Sequence, residues 1–210
     1  MPKTKIEDLL HGHHQFARRV LLDEGDFLRR LASDGQNPSA LYIGCSDSRV
    51  VPEVLTSSSP GQLFVVRNVA NMVPPLEHAD ASVGAALDFA VGHLGVPHLV
   101  VCGHDGCGGV TAVLERADFR EFTSLHEWLQ AIEPAVAATD PRLSQTARLR
   151  QAVEFNVLNQ LENLLSFPLV RAAIAKGDLQ LHGWVYDMAT LGLRVYDARE
   201  RKFVAAVELL

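Results

Sequence analysis

Cysteine is scarce in this chain of 210 residues: there are three, at positions 45, 102 and 107. An odd count cannot close a complete disulfide framework, and no two of them have the Cys-x-x-Cys spacing of a redox pair or zinc ribbon. Long apolar runs are missing as well. No stretch reaches the roughly 20 apolar residues that span a bilayer, and Lys3, Lys5, Glu7 and Asp8 break any signal-peptide core at the start. Positive charge is in deficit: the net charge is -6 and no Lys/Arg run occurs. Phosphate neutralisation needs a basic surface, so a general nucleic-acid binder is excluded. These absences predict a cytoplasmic protein whose partner is a small molecule, with neither membrane nor nucleic acid involved.

What is present is enough apolar residue, 48% of the chain, to bury a sizeable core. With no repeat, low-complexity segment or linker, residues 1–210 read as one domain, residues 1–31 forming a helical arm. In that arm Leu9, Leu10, Phe16, Val20, Leu21, Phe27, Leu28 and Leu31 recur at helical spacing, interrupted at Gly25 with Asp26 as a candidate N-cap. Apolar runs at residues 40–44, 63–66 and 98–102 read as buried strands, and residues 52–55, 82–94 and 108–116 as helices between and after them. A helical patch surrounds Trp128. Residues 146–165 and 170–176 read as helices, then 179–186 and 193–196 as strands around a turn. Strand and helix alternate with connections too long for hairpins, which predicts an α/β fold with a central, mostly parallel sheet flanked by helices.

Two short stretches organise this pattern. Cys45-Ser46-Asp47-Ser48-Arg49 follows the first strand and His104-Asp105-Gly106-Cys107 follows the third, so two thiols and an imidazole are released at one edge of the sheet. Ligands of open α/β sheets bind at that edge, and two cysteines with one histidine and an open position are a donor set of catalytic zinc. Asp47 is near enough in sequence to bind the metal itself. Arg49, two residues further on, can instead hold its carboxylate in a bidentate pair and leave the fourth position open. Two thiolates neutralise Zn2+, so such a site needs help from its pocket to activate water. Cys107 precedes Gly108, Gly109 and a helix, whose backbone N–H groups favour its thiolate.

Cys45-Ser-Asp-Ser-Arg49, then Val66-Arg67-Asn68-Val69-Ala70-Asn71, then Cys102-Gly103-His104-Asp105-Gly106-Cys107-Gly108-Gly109 resemble the β-class carbonic anhydrases. The resemblance runs in order from Gln36 to Val110, and His182-Gly183-Trp184-Val185-Tyr186 is similar too. It implies reversible hydration of CO2 to bicarbonate at a zinc bound by Cys45, His104 and Cys107. Asp47 and Arg49 would form the catalytic dyad that gates the fourth ligand position, Asp47 itself being the ligand in a closed form. By the same resemblance Gln36, Phe64, Val69, Phe89, Gly103 and Gly108 fall on substrate-binding positions, and the functional unit is a homodimer or larger, the N-terminal helices reaching over a neighbouring subunit. Phe89 stands where the plant-like branch carries Tyr. Tyr42 stands where the bicarbonate-regulated branch carries Trp, although Arg67 and Tyr186 resemble its other bicarbonate contacts.

Two rival functions use the same residues: hydrolysis of carbon disulfide or carbonyl sulfide at the same zinc, and a non-catalytic zinc protein. Retention of both Asp47 and Arg49 speaks against the second, since a scaffold needs four ligands and no gate. The remaining chemistry-bearing side chains read as structural: His11, His13 and His14 as a solvated helix face, Cys102 as core, and His78, His93, His98, His126 and His182 as surface or satisfied core residues without a ligand partner. Trp128 and Trp184 read as packing.

Overall fold

The computed structural model describes residues 4–23 and 25–208 and divides the chain into two units, Met1–Asn37 and Pro38–Leu210. The first holds α1 (Ile6–Asp23) and α2 (Gly25–Asp34), so the helix break falls where Gly25 predicts it. Asp26 is not the N-cap. It lies inside the first turn of α2, where its carboxylate pairs with Arg29 one turn later instead of with free backbone N–H groups. Ile6, Leu9, Leu10, Phe16, Leu21 and Leu22 are exposed, as are His11, His13 and His14.

In the second unit, β1 (Ala40–Cys45) is buried at every position, as an apolar strand with neighbours on both sides must be. The short α3 (Pro52–Leu55) starts on a proline, whose missing N–H costs nothing in a first turn. β2 (Leu63–Asn68) follows, and then α4 (Ala81–Leu87), capped by the Asp80 carboxylate, which accepts from the N–H groups of Ser82 and Val83 at 3.0 Å each. The sequence predicts one regular helix through residue 94. The chain instead widens into a π-helical turn over Asp88–His93, in which Leu94 N–H reaches back five residues to the Phe89 carbonyl at 2.9 Å.

β3 (His98–His104) leads into α5 (Gly108–Leu114), followed by α6 (Thr123–Gln130) and α7 (Glu133–Ala137). The longest helix is α8 (Gln145–Leu164), capped by Ser144. It buries Ala152, Val153, Asn156, Val157, Gln160 and Leu164 on one helical face. α9 (Pro168–Lys176) ends on Gly177 in the left-handed conformation that glycine adopts without penalty.

β4 (Gln180–Tyr186), β5 (Leu193–Asp197) and β6 (Lys202–Ala205) complete a six-stranded sheet of order β2-β1-β3-β4-β5-β6. The first four strands run parallel and the last two antiparallel, in line with the predicted mostly parallel sheet. β6 has no counterpart in the sequence reading: it is four residues long, stands beside Arg199, Glu200 and Arg201, and becomes a strand by pairing with β5. β1 and β3 both run further than their apolar runs suggest. Cys45 pairs with Asn68 and His104 with Tyr186, so each is the last residue of its strand rather than the first of a loop. α8 packs close over this edge: a Cβ on Gly103 would lie 2.9 Å from a Val157 methyl and 3.1 Å from a Val153 methyl.

Candidate metal centre

Because β1 and β3 are hydrogen-bonded neighbours in parallel register, their carboxyl ends deliver Cys45 and His104 to the same edge, and the turn through Gly106 (φ 69°) returns Cys107 beside them. All three are buried, and their donor atoms lie within 4.8 Å of one another. The two sulfurs are 4.0 Å apart. Tetrahedral zinc with bonds of about 2.3 Å to sulfur needs roughly 3.8 Å between them, so the donor set fits that ion. His104 adds a second indication, for its Nε2 is fully buried with no hydrogen-bond partner. Its Nδ1 lies 3.1 Å from the Asp105 carbonyl, which accepts the ring proton and leaves Nε2 as the lone pair offered to the centre.

The thiols behave as a coupled pair. Hydrogen bonding from Cys107 holds the Cys45 thiol well below its ordinary pKa, to about 4, with further help from His104 and from the backbone N–H groups of Asp47 and Ala70. The same contact and burial push Cys107 upward. Without a cation the two sulfurs share one proton; a divalent ion supplies the charge that ionises both.

Asp47 stands beside this group and not within it. Arg49 takes both its oxygens, Nη2 donating to Oδ2 at 2.6 Å and Nε to Oδ1 at 2.9 Å, while Arg49 N–H adds 3.0 Å to Oδ1. That grip holds the carboxyl well below the usual carboxylate range. Oδ2 is 3.8 Å from His104 Nε2. Arg67 on β2 fixes the segment from the other side, donating to the Cys45 carbonyl at 3.0 Å and the Asp47 carbonyl at 2.7 Å.

Of the predicted pocket residues, Phe64 and Phe89 stack on each other with centroids 5.8 Å apart, and Phe89 also packs on His93. Val69 is partly exposed and its carbonyl accepts from Trp128 Nε1 at 2.9 Å, so Trp128 is a brace as well as packing. Gly103 lies under α8, and Gly108 opens α5 with no atom within 4 Å of where its Cβ would be. Gln36 is exposed and belongs to the N-terminal unit. Cys102 is core, as expected; its thiol is pushed up to about 12 by burial, and Tyr42 packs in the same cluster. His98 and His182 do meet, at 3.2 Å across β3 and β4, a contact that no sequence spacing announces.

Several residues around the centre carry no sequence signal. Arg194 on β5 grips the Asp105 carboxylate at 2.9 and 3.0 Å and Glu154 of α8 at 3.1 Å, steadying the residue whose carbonyl orients His104. Ala70 and Asn71 are consecutive left-handed residues, φ 63° and 50°, a conformation costing an ordinary L residue about 1–2 kcal/mol. Only register and packing across 30 to 90 residues bring these groups to the site.

The comparisons with known proteins agree with this geometry. The carbonic anhydrase family profile matches residues 40–193, from the first residue of β1 to the first of β5. The carbonic anhydrase of Pseudomonas aeruginosa is 40% identical over 205 residues, covering 97% of this chain and 93% of that one. Among solved structures, the β-carbonic anhydrase CcaA superposes with a TM-score of 0.91 at 34% identity, covering 96% of this chain and 100% of its own. A tetrameric β-carbonic anhydrase from Sordaria macrospora superposes at 0.82 and 32%, covering 90% and 95%. Motif, strand-end geometry and whole-chain similarity therefore converge, and the chain belongs to the β-carbonic anhydrase family.

Proposed function

We propose that the protein hydrates CO2 reversibly to bicarbonate and a proton at a zinc ion held by Cys45, His104 and Cys107. The observation that carries this reading is the division of labour at the site: three buried donors converge, while the nearest carboxylate, Asp47, is occupied by Arg49. Zinc bound there supplies the Lewis acidity that makes water a nucleophile near neutral pH. Asp47 is an acceptor only, because its lowered pKa keeps it ionised, and it orients water through a hydrogen bond to Oδ2. Arg49 keeps that oxygen in place; if its grip is released, Asp47 can turn to the metal and close the site. Phe64, Val69 and Phe89 offer apolar surface suited to CO2, with Gln36, Gly103 and Gly108 completing the substrate-binding set. The enzyme works as a homodimer or larger assembly in the cytoplasm. The tetrameric relative and the exposed apolar residues of α1 support self-association, and among the described residues no helix is long and apolar enough to cross a membrane.

Stopped-flow CO2 hydration with parallel zinc quantification tests the reading. Activity should track zinc content, and carbon disulfide or carbonyl sulfide should turn over far more slowly. Zinc-loaded protein that hydrolyses the sulfur compounds and leaves CO2 untouched would replace this function with its rival. Sedimentation of the full chain and of a chain lacking residues 1–31 tests assembly, the shortened chain being expected to lose solubility or activity.

A further inference from the structure

Resting on the metal reading above, the structure points to a role for α8 that goes beyond packing: we infer that Asn156, with Gln160 and Asn163, is a positioning residue that holds Ala70 against Cys45. Asn156 and Gln160 are essentially unexposed, and buried amides in a helix face surrounded by Val153, Val157 and Leu164 are retained at a desolvation cost unless they bond. All their bonds go to one loop. Asn156 Nδ2 donates to the Ala70 carbonyl at 3.0 Å, and its Oδ1 accepts from Gln160 Nε2 at 3.0 Å. Gln160 Oε1 accepts from Val73 N–H at 2.8 Å, and Asn163 Nδ2 donates to the Val73 carbonyl at 2.9 Å.

The loop needs this brace because Ala70 and Asn71 are both left-handed, and its payload is the Ala70 N–H, one of two backbone groups that face the Cys45 sulfur. From the opposite side the loop is met by α5: a Cβ on Gly109 would lie 3.1 Å from the Ala70 Cβ. Ala70 is thus clamped between the amide ladder and α5, both of which it must satisfy to present its N–H. An N–H···S bond draws electron density from a thiolate. A neutral two-thiolate site gains from that, since less donation by sulfur leaves more Lewis acidity for water.

The test uses the full chain loaded with cobalt(II), whose sulfur-to-cobalt charge-transfer band in the near ultraviolet reads the electron density on the ligand thiolates. Asn156→Leu removes both bonds of Asn156 at similar volume. Its band should move to longer wavelength, and the zinc form should lose about tenfold in kcat at unchanged metal stoichiometry. Asn163→Ala, at the half-buried end of the ladder, should shift the band the same way by less, and it decides the matter if Asn156→Leu does not fold. Adding Ala70→Gly, which adopts the left-handed conformation without a brace, should return the band part of the way. A wild-type band that neither variant moves overturns the inference, and so does a shift that Ala70→Gly leaves uncorrected, which would assign the loss to packing alone. Absence of any thiolate band in the cobalt-loaded wild type would instead defeat the metal reading itself.

Discussion

The pairing of Asp47 with Arg49 is repeated twice elsewhere in the molecule, at Asp118 with Arg120 and at Asp140 with Arg142. The geometry is the same to within 0.1 Å: backbone N–H to Oδ1 at 3.0, 3.0 and 2.9 Å, Nε to Oδ1 at 2.9 Å in all three, and Nη2 to Oδ2 at 2.6, 2.6 and 2.7 Å. An Asp-x-Arg tripeptide closes this clamp by itself, because an Asx-type turn aims the carboxylate at the backbone N–H two residues on and the guanidinium fork then fits it. What differs is the surroundings. The Asp118 and Asp140 side chains are 60% and 31% exposed beside fully solvated arginines, whereas Asp47 is 16% exposed and 3.8 Å from a buried imidazole. Solvated ion pairs contribute about 0–1 kcal/mol, so two of the clamps fasten surface loops and one controls a carboxylate next to a metal site.

The strongest way to break the comparison is to remove what makes the first clamp different. Cys45→Ser or His104→Ala should abolish zinc binding by elemental analysis and bring CO2 hydration close to background, although the clamp beside them remains closed. Full zinc occupancy with full activity in either variant would show that Cys45, His104 and Cys107 are not the centre.

Cutting the clamps themselves comes next in size. Arg49→Ala should lower kcat roughly 10–100-fold while zinc content is kept, as expected for a group acting through Asp47. Arg120→Ala and Arg142→Ala should leave kcat unchanged and alter stability by no more than about 0.5 kcal/mol. Equal kinetics across the three variants would put all three clamps in the same structural class.

The pH dependence sharpens the contrast further. Asp47 has its pKa depressed by Arg49, so the stability it contributes is fully present above its unfolded value of about 3.9 and is lost only as pH falls through the lower folded value. It therefore stays ionised throughout pH 6–9, with or without Arg49. Activity should rise with pH across that window, and Arg49→Ala should scale the profile down without moving its midpoint. A midpoint displaced by Arg49→Ala would make the clamp part of the titrating unit.

The smallest effect is expected at the other end of the same strands, where His182 stacks against His98 and burial lowers its pKa. A depressed histidine pKa means stability present above about 6.5 and lost as pH falls below it. Denaturant titrations between pH 7.5 and 5.5 should show a shallower decline for His182→Gln than for wild type, with kcat at pH 7.5 unaffected. An identical decline would mean that the pair does not titrate in that range.

Much of this architecture was legible in the sequence because it is local. The apolar runs of β1 and β3 mark strands whose ends carry the ligands, and the 3.6-residue period of α8 is unmistakable over 20 residues. β6 was not legible, since a four-residue strand next to charged residues has no period to detect and owes its conformation to β5. The π-helical turn at Asp88–His93 and the left-handed pair at Ala70 and Asn71 were equally silent, because both are irregularities imposed by packing on residues with ordinary propensities. Asp26 misled for the opposite reason: a good capping residue was used one position too late.

By itself, then, the sequence determined which chemistry was available: two thiols and an imidazole at strand ends, and an Asp-x-Arg tripeptide that clamps wherever it occurs. Only the tertiary structure decided which of three identical clamps matters, through the parallel register that sets Cys45 beside His104 and the fold of α8 that brings Asn156, Gln160 and Glu154 behind them. The physical reason is range. Turns, caps and ion pairs two residues apart form from local geometry, whereas a buried metal site exists only where the core excludes water from donors that the chain holds about 60 residues apart.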